Sequence, residues 1–368
     1  MTGNRASSKP WGLIGLAVFV AVSVALLLSF APGRKSAEAT EEGLSLSADI
    51  PDTVSKNTVL IVGDPVTQWV FEHNGWDKQL PFTIKWVQIT GGPDVTEAFH
   101  AKALDVGLGA NVPPIHATWV GLPVRIVGVR RRSDPLSYPA YIWGIAPQAN
   151  IRSLAGLRGK RLAFSPSQVQ SQVVLQTLNA LKIPVDQVEL VELPSSIGGD
   201  VYTSALASHV VDAAPIGAGI IAERYLRKFG GQGASVINHP AFHDDLINAY
   251  VPVSVLQNPA KAAALKIFMQ WWGKAQAWQQ AHRDELAQGY YVKHQGLSPA
   301  DAKLIIDALG DIDIPADWKD AIAYQQASID LLSRASGKIS FDAHTLFDRR
   351  FETIAAAGAG LSPVGADR

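Results

Sequence analysis

Residues 89–117, ITGGPDVTEAFHAKALDVGLGANVPPIHA, constrain the fold of this chain more than any other stretch, because they set two glycine-rich strand-to-helix turns back to back. The first, Gly91-Gly92-Pro93, follows the alternating pattern of residues 83–90 and opens a helix through Pro93, whose missing N–H costs nothing at a first helical position. The second, Gly109-Ala110-Asn111, leaves a short strand over residues 105–108 and enters a helix at Pro113-Pro114. From Thr58 onward the same alternation of short β-branched runs and amphipathic stretches continues, which predicts an α/β protein with mostly parallel strands.

Further turns of this kind follow. Residues 58–62 read as a strand ending at Asp64-Pro65, an N-cap residue followed by proline. Residues 162–164 lead into Ser165-Pro166-Ser167-Gln168, a capping-box arrangement, and residues 211–214 feed the turn around Gly217. A loop is expected at residues 195–199. The region after residue 255 turns helical, most clearly over residues 261–282 with Trp271, Trp272 and Trp278.

Strand ends thus open into helix N-termini at Asp64, Gly92, Asn111, Ser165 and Gly217. In open α/β sheets a ligand lies at the carboxyl ends of the strands, where helix N-termini point unsatisfied N–H groups and a positive dipole end at it. The expected binding site is therefore the backbone of Gly91, Gly92, Gly109, Ala110 and Gly217, with neutral donors from Thr67, Gln68, Asn111, Ser165, Ser167 and Gln168. None of these turns carries lysine or arginine. Asp64 is the acidic member, expected either to cap its helix or to pair with an ammonium group on a ligand that also bears an anionic head.

Other functions are disfavoured by what the chain omits. The formal net charge over 368 residues is −1, and Arg130-Arg131-Arg132 and Arg349-Arg350 read as solvated loops, so no nucleic-acid partner is expected. With no cysteine there is no disulfide, thiolate nucleophile, lipobox or cysteine-based metal site. His239 and His243 beside Asp244 and Asp245 make at most half a metal site, broken by Pro240, so no metal or other cofactor is expected. No Gly-x-Ser-x-Gly elbow and no paired carboxylates on the turns suggest an enzyme.

Residues 11–31 form an apolar run preceded by Arg5 and Lys9, long enough to span a bilayer, and Ala37-Glu38-Ala39 offers a cleavage pattern. Residues 1–39 therefore read as a signal sequence or as a membrane anchor, and residues 40–57 as a flexible linker. Both readings put the remainder outside the cytoplasm, in the periplasm or at the cell surface.

Gly92-Pro93, Glu97-Ala98, Asp105-Val106-Gly107, Gly109, Pro113-Pro114-Ile115 and Ala117 resemble the hallmark run of solute-binding proteins of ABC importers for aliphatic sulfonates, taurine and nitrate. Residues 151–164 resemble the same family's entry into its second lobe, and the similarity extends more weakly over residues 58–332. The resemblance implies a two-lobed periplasmic-binding-protein type II fold with a helical C-terminal segment, closing on a small ligand by hinge motion. It implies lobe 1 over residues 58–145 and 249–368, lobe 2 over residues 146–248, and crossovers near Ala146 and Asn248. It also implies a monomer that works with an ABC permease and ATPase. The chain departs from the family pattern at Gly63-Asp64-Pro65, Ser165-Pro166-Ser167 and Ile216-Gly217-Ala218, so the ligand stays open. A membrane-tethered ligand sensor, or an enzyme on the same fold acting on a small heterocycle, are the alternative readings.

Overall fold

The computed structural model describes residues 43–194, 200–240 and 242–361. Its strands are β1 Val59–Gly63, β2 Thr83–Trp86, β3 Val106–Ala110, β4 Val124–Arg132, β5 Tyr141–Ile145, β6 Arg161–Phe164, β7 Glu189–Glu192, β8 Ala213–Gly217, β9 Ser235–Ile237, β10 Ile247–Pro252 and β11 Ile312–Asp313. They form a six-stranded sheet of order β11-β4-β10-β3-β1-β2 and a five-stranded sheet of order β7-β6-β8-β5-β9. Each repeats one plan. A parallel trio (β2-β1-β3, β7-β6-β8) is extended by an antiparallel strand, β10 in the first sheet and β5 in the second.

The chain leaves the first sheet between Arg132 and Tyr141 and returns between Ile237 and Ile247. Both crossings come earlier than the sequence suggests. Tyr141–Ile145, expected in lobe 1, pairs antiparallel with β8 in the second sheet. Asn248, expected to close lobe 2, lies inside β10 of the first sheet, opposite Gly109 and Val129.

Apolar spacing explains how the layers hold together. In the helix Pro259–Ala281, Leu265, Phe268, Met269 and Trp272 recur at three- and four-residue intervals and are buried against the first sheet with Leu60, Val62, Ile126 and Val127. Asn258 caps this helix, its side chain accepting from Lys261 N at 2.9 Å, and Pro259 occupies the first position. The second sheet is covered on both faces, by a core containing Leu206, Ile216 and Tyr225 and by another containing Trp143, Leu162, Val174 and Leu178. Two-sided burial of this kind is what βα crossovers produce.

The expected linker behaves differently from Gly43 onward. Leu44 N donates to Gln257 O at 2.7 Å, Arg350 Nη1 donates to Ala48 O at 2.6 Å, and Ile50 is buried in the first core. Residues 43–57 are therefore docked, because Leu44, Leu46, Ile50 and Val54 supply apolar contacts that a solvated linker lacks. Arg350, expected on a solvated loop, is consumed by Asp348 and this segment. The expected signal or anchor over residues 1–39 and the loop at residues 195–199 lie outside the described residues. Among the described residues no helix is long and apolar enough to cross a membrane.

Candidate functional site

A cavity of about 330 Å³ lies where the two sheets face each other, lined by turns from both. Gly63, Asp64, Pro65, Gly91, Gly92, Gly109 and Ala110 come from the carboxyl ends of β1, β2 and β3, while Tyr141, Gln168 and Val169 come from the second sheet and its first long helix. Arg130, Gln276, Gln279 and Tyr291 also line it. The volume falls at the lower end of the roughly 300–1,000 Å³ typical of ligand pockets, a size for a small solute.

Backbone geometry lets the turns come this close. Gly91 has φ +92°, a conformation that side chains rarely adopt, and starts the helix Gly92–His100. A Cβ on Gly92 would stand 2.7 Å from Pro113 Cγ and 3.3 Å from Ser167 O, so only glycine lets the first sheet's turn approach both Pro113 and the second sheet's Ser167.

Two charges define the chemistry. Asp64 is 5% exposed; its Oδ1 accepts from Thr67 N at 3.1 Å, and its Oδ2 has no partner. Burial pushes the Asp64 carboxyl above the ordinary range, overcoming the Thr67 hydrogen bonds, the charge of Arg130 and the nearby Trp272 indole, all of which pull it down. Arg130, at the end of β4, donates from Nη1 to Gln276 Oε1 at 2.7 Å, and Gln276 is itself oriented by donating from Nε2 to Thr67 Oγ1 at 3.3 Å. Burial lowers the Arg130 pKa and Asp64 opposes the shift, but a guanidinium keeps its charge in a protein. Gln279, 6% exposed, leaves Nε2 without a partner at the same cavity.

The structure thus brings Asp64, Gly91, Gly92, Gly109, Ala110 and Gln168 together around one cavity and puts the other expected residues elsewhere. Ser165 and Ser167 border a neighbouring hollow with Pro93, Asp94 and Glu192. Ser165 does not cap the following helix: Gln168 N bonds to its backbone oxygen at 3.0 Å, and the helix begins at Val169 without a side-chain cap. Thr67 acts through Asp64 and Gln276, whereas Gln68 is engaged with Gln88 and Glu72 outside the cavity. Gly217 ends β8 beside Ile221, off the lining.

Asn111, expected to donate to ligand, is committed to the protein. Its Nδ2 donates to Gln172 Oε1 and, at 2.9 Å, to Ser328 Oγ, while its backbone oxygen accepts from Gln325 Nε2 at 2.7 Å. Gln172 in turn donates to Tyr324 Oη at 2.9 Å. This buried network ties the helix Val169–Ala180 of the second sheet to the helix Val112–Trp119 of the first and to the C-terminal helix Lys319–Ser336.

Arg130 is the charged lining residue that sequence reasoning passed over. The arginine run reads as a loop but is the end of β4: Arg131 Nε donates to Asp313 Oδ2 at 2.7 Å and Arg132 Nε to Leu309 O at 3.0 Å. The signal was the β-branched run Val124-Arg125-Ile126-Val127-Gly128-Val129, which passes into Arg130 with no turn residue between them.

The cavity continues toward the crossovers as a smaller hollow of about 120 Å³ lined by Arg132, Tyr141, Asp244 and Asp245. Asp244 accepts from Ala140 N at 2.9 Å, Tyr141 N at 2.7 Å and His239 Nε2 at 3.2 Å; Asp245 Oδ2 accepts from Arg132 N at 2.6 Å. These carboxylates fasten the outgoing crossover to the returning one. Among the described residues no group of three or more His, Cys, Asp or Glu side chains could hold a metal ion.

Comparison with known proteins agrees with this architecture. Residues 72–224 match the family model described as NMT1/THI5 like. A protein of Escherichia coli (strain K12) described as an aliphatic sulfonates-binding protein is 29% identical over 107 residues, covering 29% of this chain and 32% of that protein. The chain therefore spans about a third of the length of the curated relative it matches. The fold is that of the periplasmic aliphatic sulphonate binding protein SsuA from Escherichia coli, with TM-score 0.64 and 19% identity over 80% of this chain and 98% of that one. The alkanesulfonate-binding protein SsuA from Xanthomonas axonopodis pv. citri, bound to MOPS, is similar at TM-score 0.61 and 18% identity over 84% and 99%. The fold also carries a desulfurization enzyme, DszB, similar at TM-score 0.51 and 14% identity over 82% and 99%.

Proposed function

We propose that this chain is the extracytoplasmic solute-binding component of an ABC importer, capturing a small sulfonate-type solute between its two sheets. The observation that carries this reading is the guanidinium of Arg130 in a cavity of small-solute size, at the carboxyl ends of β1 and β3, with the unpartnered Gln279 Nε2 beside it. A charged donor of this kind forms the stronger class of hydrogen bond to an oxyanion. Sequence similarity to an aliphatic sulfonates-binding protein supports the same head group.

Binding without turnover is the reading that similarity to an aliphatic sulfonates-binding protein supports. Hinge closure between two lobes follows from the two crossovers, which are the covalent links between the sheets. Transport then calls for a permease and ATPase to receive the closed, monomeric binding protein, with residues 1–39 as signal or anchor.

A thermal-shift screen against alkylsulfonates, aminosulfonates, nitrate and pyrimidines tests the reading. A cognate solute at a hundred times its Kd stabilises by about 2.7 kcal/mol. Stabilisation by pyrimidines alone would move the chain to the heterocycle reading.

A further inference from the structure

The helix Val169–Ala180 follows a strand of the second sheet, yet it is buried on two sides. Val174 and Leu178 lie in the second sheet's core with Trp143 and Leu162, whereas Val169 and Leu175 are buried in the core of the first. A helix that covers a single layer buries one apolar stripe; burial nearly all round means that a second body closes over it. Between these contacts Gln172, 1% exposed, joins the amide network: its Oε1 accepts from Asn111 Nδ2 and its Nε2 donates to Tyr324 Oη at 2.9 Å. Tyr324 Oη donates in turn to His243 O, on the chain returning from the second sheet. The helix Lys319–Ser336 that carries Tyr324 is fixed to the first sheet, since Ile322, Ile329 and Leu332 are buried in its core and Gln325 Nε2 donates to Asn111 O at 2.7 Å.

We propose that the helix Lys319–Ser336 is a clasp: by holding Gln172 to the first sheet it draws the two sheets together in part without any solute. The inference rests on the hinge motion proposed above and on nothing about the solute's identity. Rotation about the crossovers would uncover Val169 and Leu175 and part Gln172 from Asn111 and Tyr324, so these groups favour the closed arrangement over the open one. Gln172, Leu175, Asn111 and Tyr324 all stand off the cavity lining, so their contribution is the protein's own. The clasp is also uncharged. Elsewhere the same C-terminal segment meets the second sheet through an ion pair, Arg224 Nη2 to Asp301 Oδ2 at 2.9 Å, with the arginine about half exposed, a setting that contributes little. Closure by the clasp is therefore insensitive to salt.

The experiment is a distance measurement between two spin labels in solute-free protein. The chain has no cysteine, so Lys78→Cys and Asp186→Cys place the labels uniquely. Both residues are exposed, Lys78 ahead of β2 and Asp186 ahead of β7, at the ends of the two sheets remote from the cavity. Pulsed dipolar spin resonance gives two interspin distances, one for each arrangement. Gln172→Met leaves Asn111 and Tyr324 with unmet polar groups that water relieves on opening, so the closed-to-open ratio falls about tenfold, equally at low and high salt. Tyr324→Phe, which orphans Gln172 Nε2, lowers it likewise. Thr177→Val lies on the same helix but removes a bond within the second sheet's own layers, from Trp143 Nε1 at 3.1 Å, and leaves the ratio as it was. A ratio unchanged by Gln172→Met or by Tyr324→Phe, or lowered as much by Thr177→Val, overturns the clasp. If saturating 2-aminoethanesulfonate still shifts the wild type to the closed distance, the solute-binding reading survives that failure; if it does not, the hinge falls with the clasp.

Discussion

Asp64 and Asp244 are both buried carboxylates on the crevice between the sheets, and their surroundings treat them in opposite ways. Asp244 stands where the chain crosses between sheets, and both of its oxygens are occupied: Ala140 N on one, Tyr141 N and His239 Nε2 on the other. Asp64 stands at the strand ends among the residues that line the cavity, with one oxygen spent on Thr67 N and the other buried without a hydrogen-bond partner. Most buried polar groups in folded proteins are paired, so the fully bonded acid belongs to the architecture, and the proposed function assigns the half-bonded one to a solute. Under that proposal the crossover end of the crevice holds the sheets and the strand-end side binds.

That contrast can be broken by mutation, and its largest consequence is in stability. Asp244→Ala strips the acceptor from two backbone N–H groups and from His239; at about 1–3 kcal/mol per orphaned buried donor, the loss is about 3 kcal/mol or more in urea unfolding. Asp64→Ala removes one helix cap, about 1 kcal/mol, and also relieves a buried carboxylate. Similar losses from the two substitutions would erase the distinction.

Gly92→Val probes the approach of the two sheets. Its Cβ meets Pro113 Cγ at 2.7 Å and Cβ at 2.9 Å, neither on a flexible side chain, at a cost of about 1–3 kcal/mol. With Ser167 O on the other side, the valine also props the crevice open. Small-angle scattering should show the wild type compacting with saturating 2-aminoethanesulfonate and the variant keeping its free radius. Compaction of both would mean that this contact plays no part in closure.

The smallest expected effect sharpens the holding side. Burial pulls the His239 pKa down, but its hydrogen bonds to Asp244 and Pro240 O and the charge of Asp244 outweigh this and leave it raised. A raised histidine contributes stability fully below the unfolded value of about 6.5 and loses it as pH climbs through the folded value. The stability gap between wild type and His239→Gln should therefore narrow from about pH 5 to about pH 9. A gap that widens with pH would reverse the role given to this pair.

Much of the fold is legible because its signals are local. Asp64-Pro65, Gly91-Gly92-Pro93 and Gly109-Ala110-Asn111 announce their turns by residue chemistry alone, and the structure puts helices after all three. Sheet membership is not local: Tyr141–Ile145 pairs with β8, which lies some seventy residues later, and nothing within the segment names that partner. The site divides the same way. Turn residues Gly91, Gly92, Gly109 and Ala110 can be read from sequence, whereas Gln276, Gln279 and Tyr291 reach the cavity from helices far along the chain. Asn111 and Ser165 show the converse limit, for residue type suggests a donor but cannot reveal that Gln172 and Ser328 already use the Asn111 amide.

The central claim, that Arg130 makes this crevice a site for an oxyanionic solute, is tested most directly by titrating wild type and Arg130→Gln with 2-aminoethanesulfonate and propane-1-sulfonate in one calorimetric series. Losing a charged hydrogen bond, about 1.5–3 kcal/mol, should weaken both ligands by roughly 10- to 150-fold, with an unfolding midpoint close to wild type because, among the described residues, the Arg130 side chain hydrogen-bonds Gln276 alone. Affinities unchanged by the substitution would contradict the account.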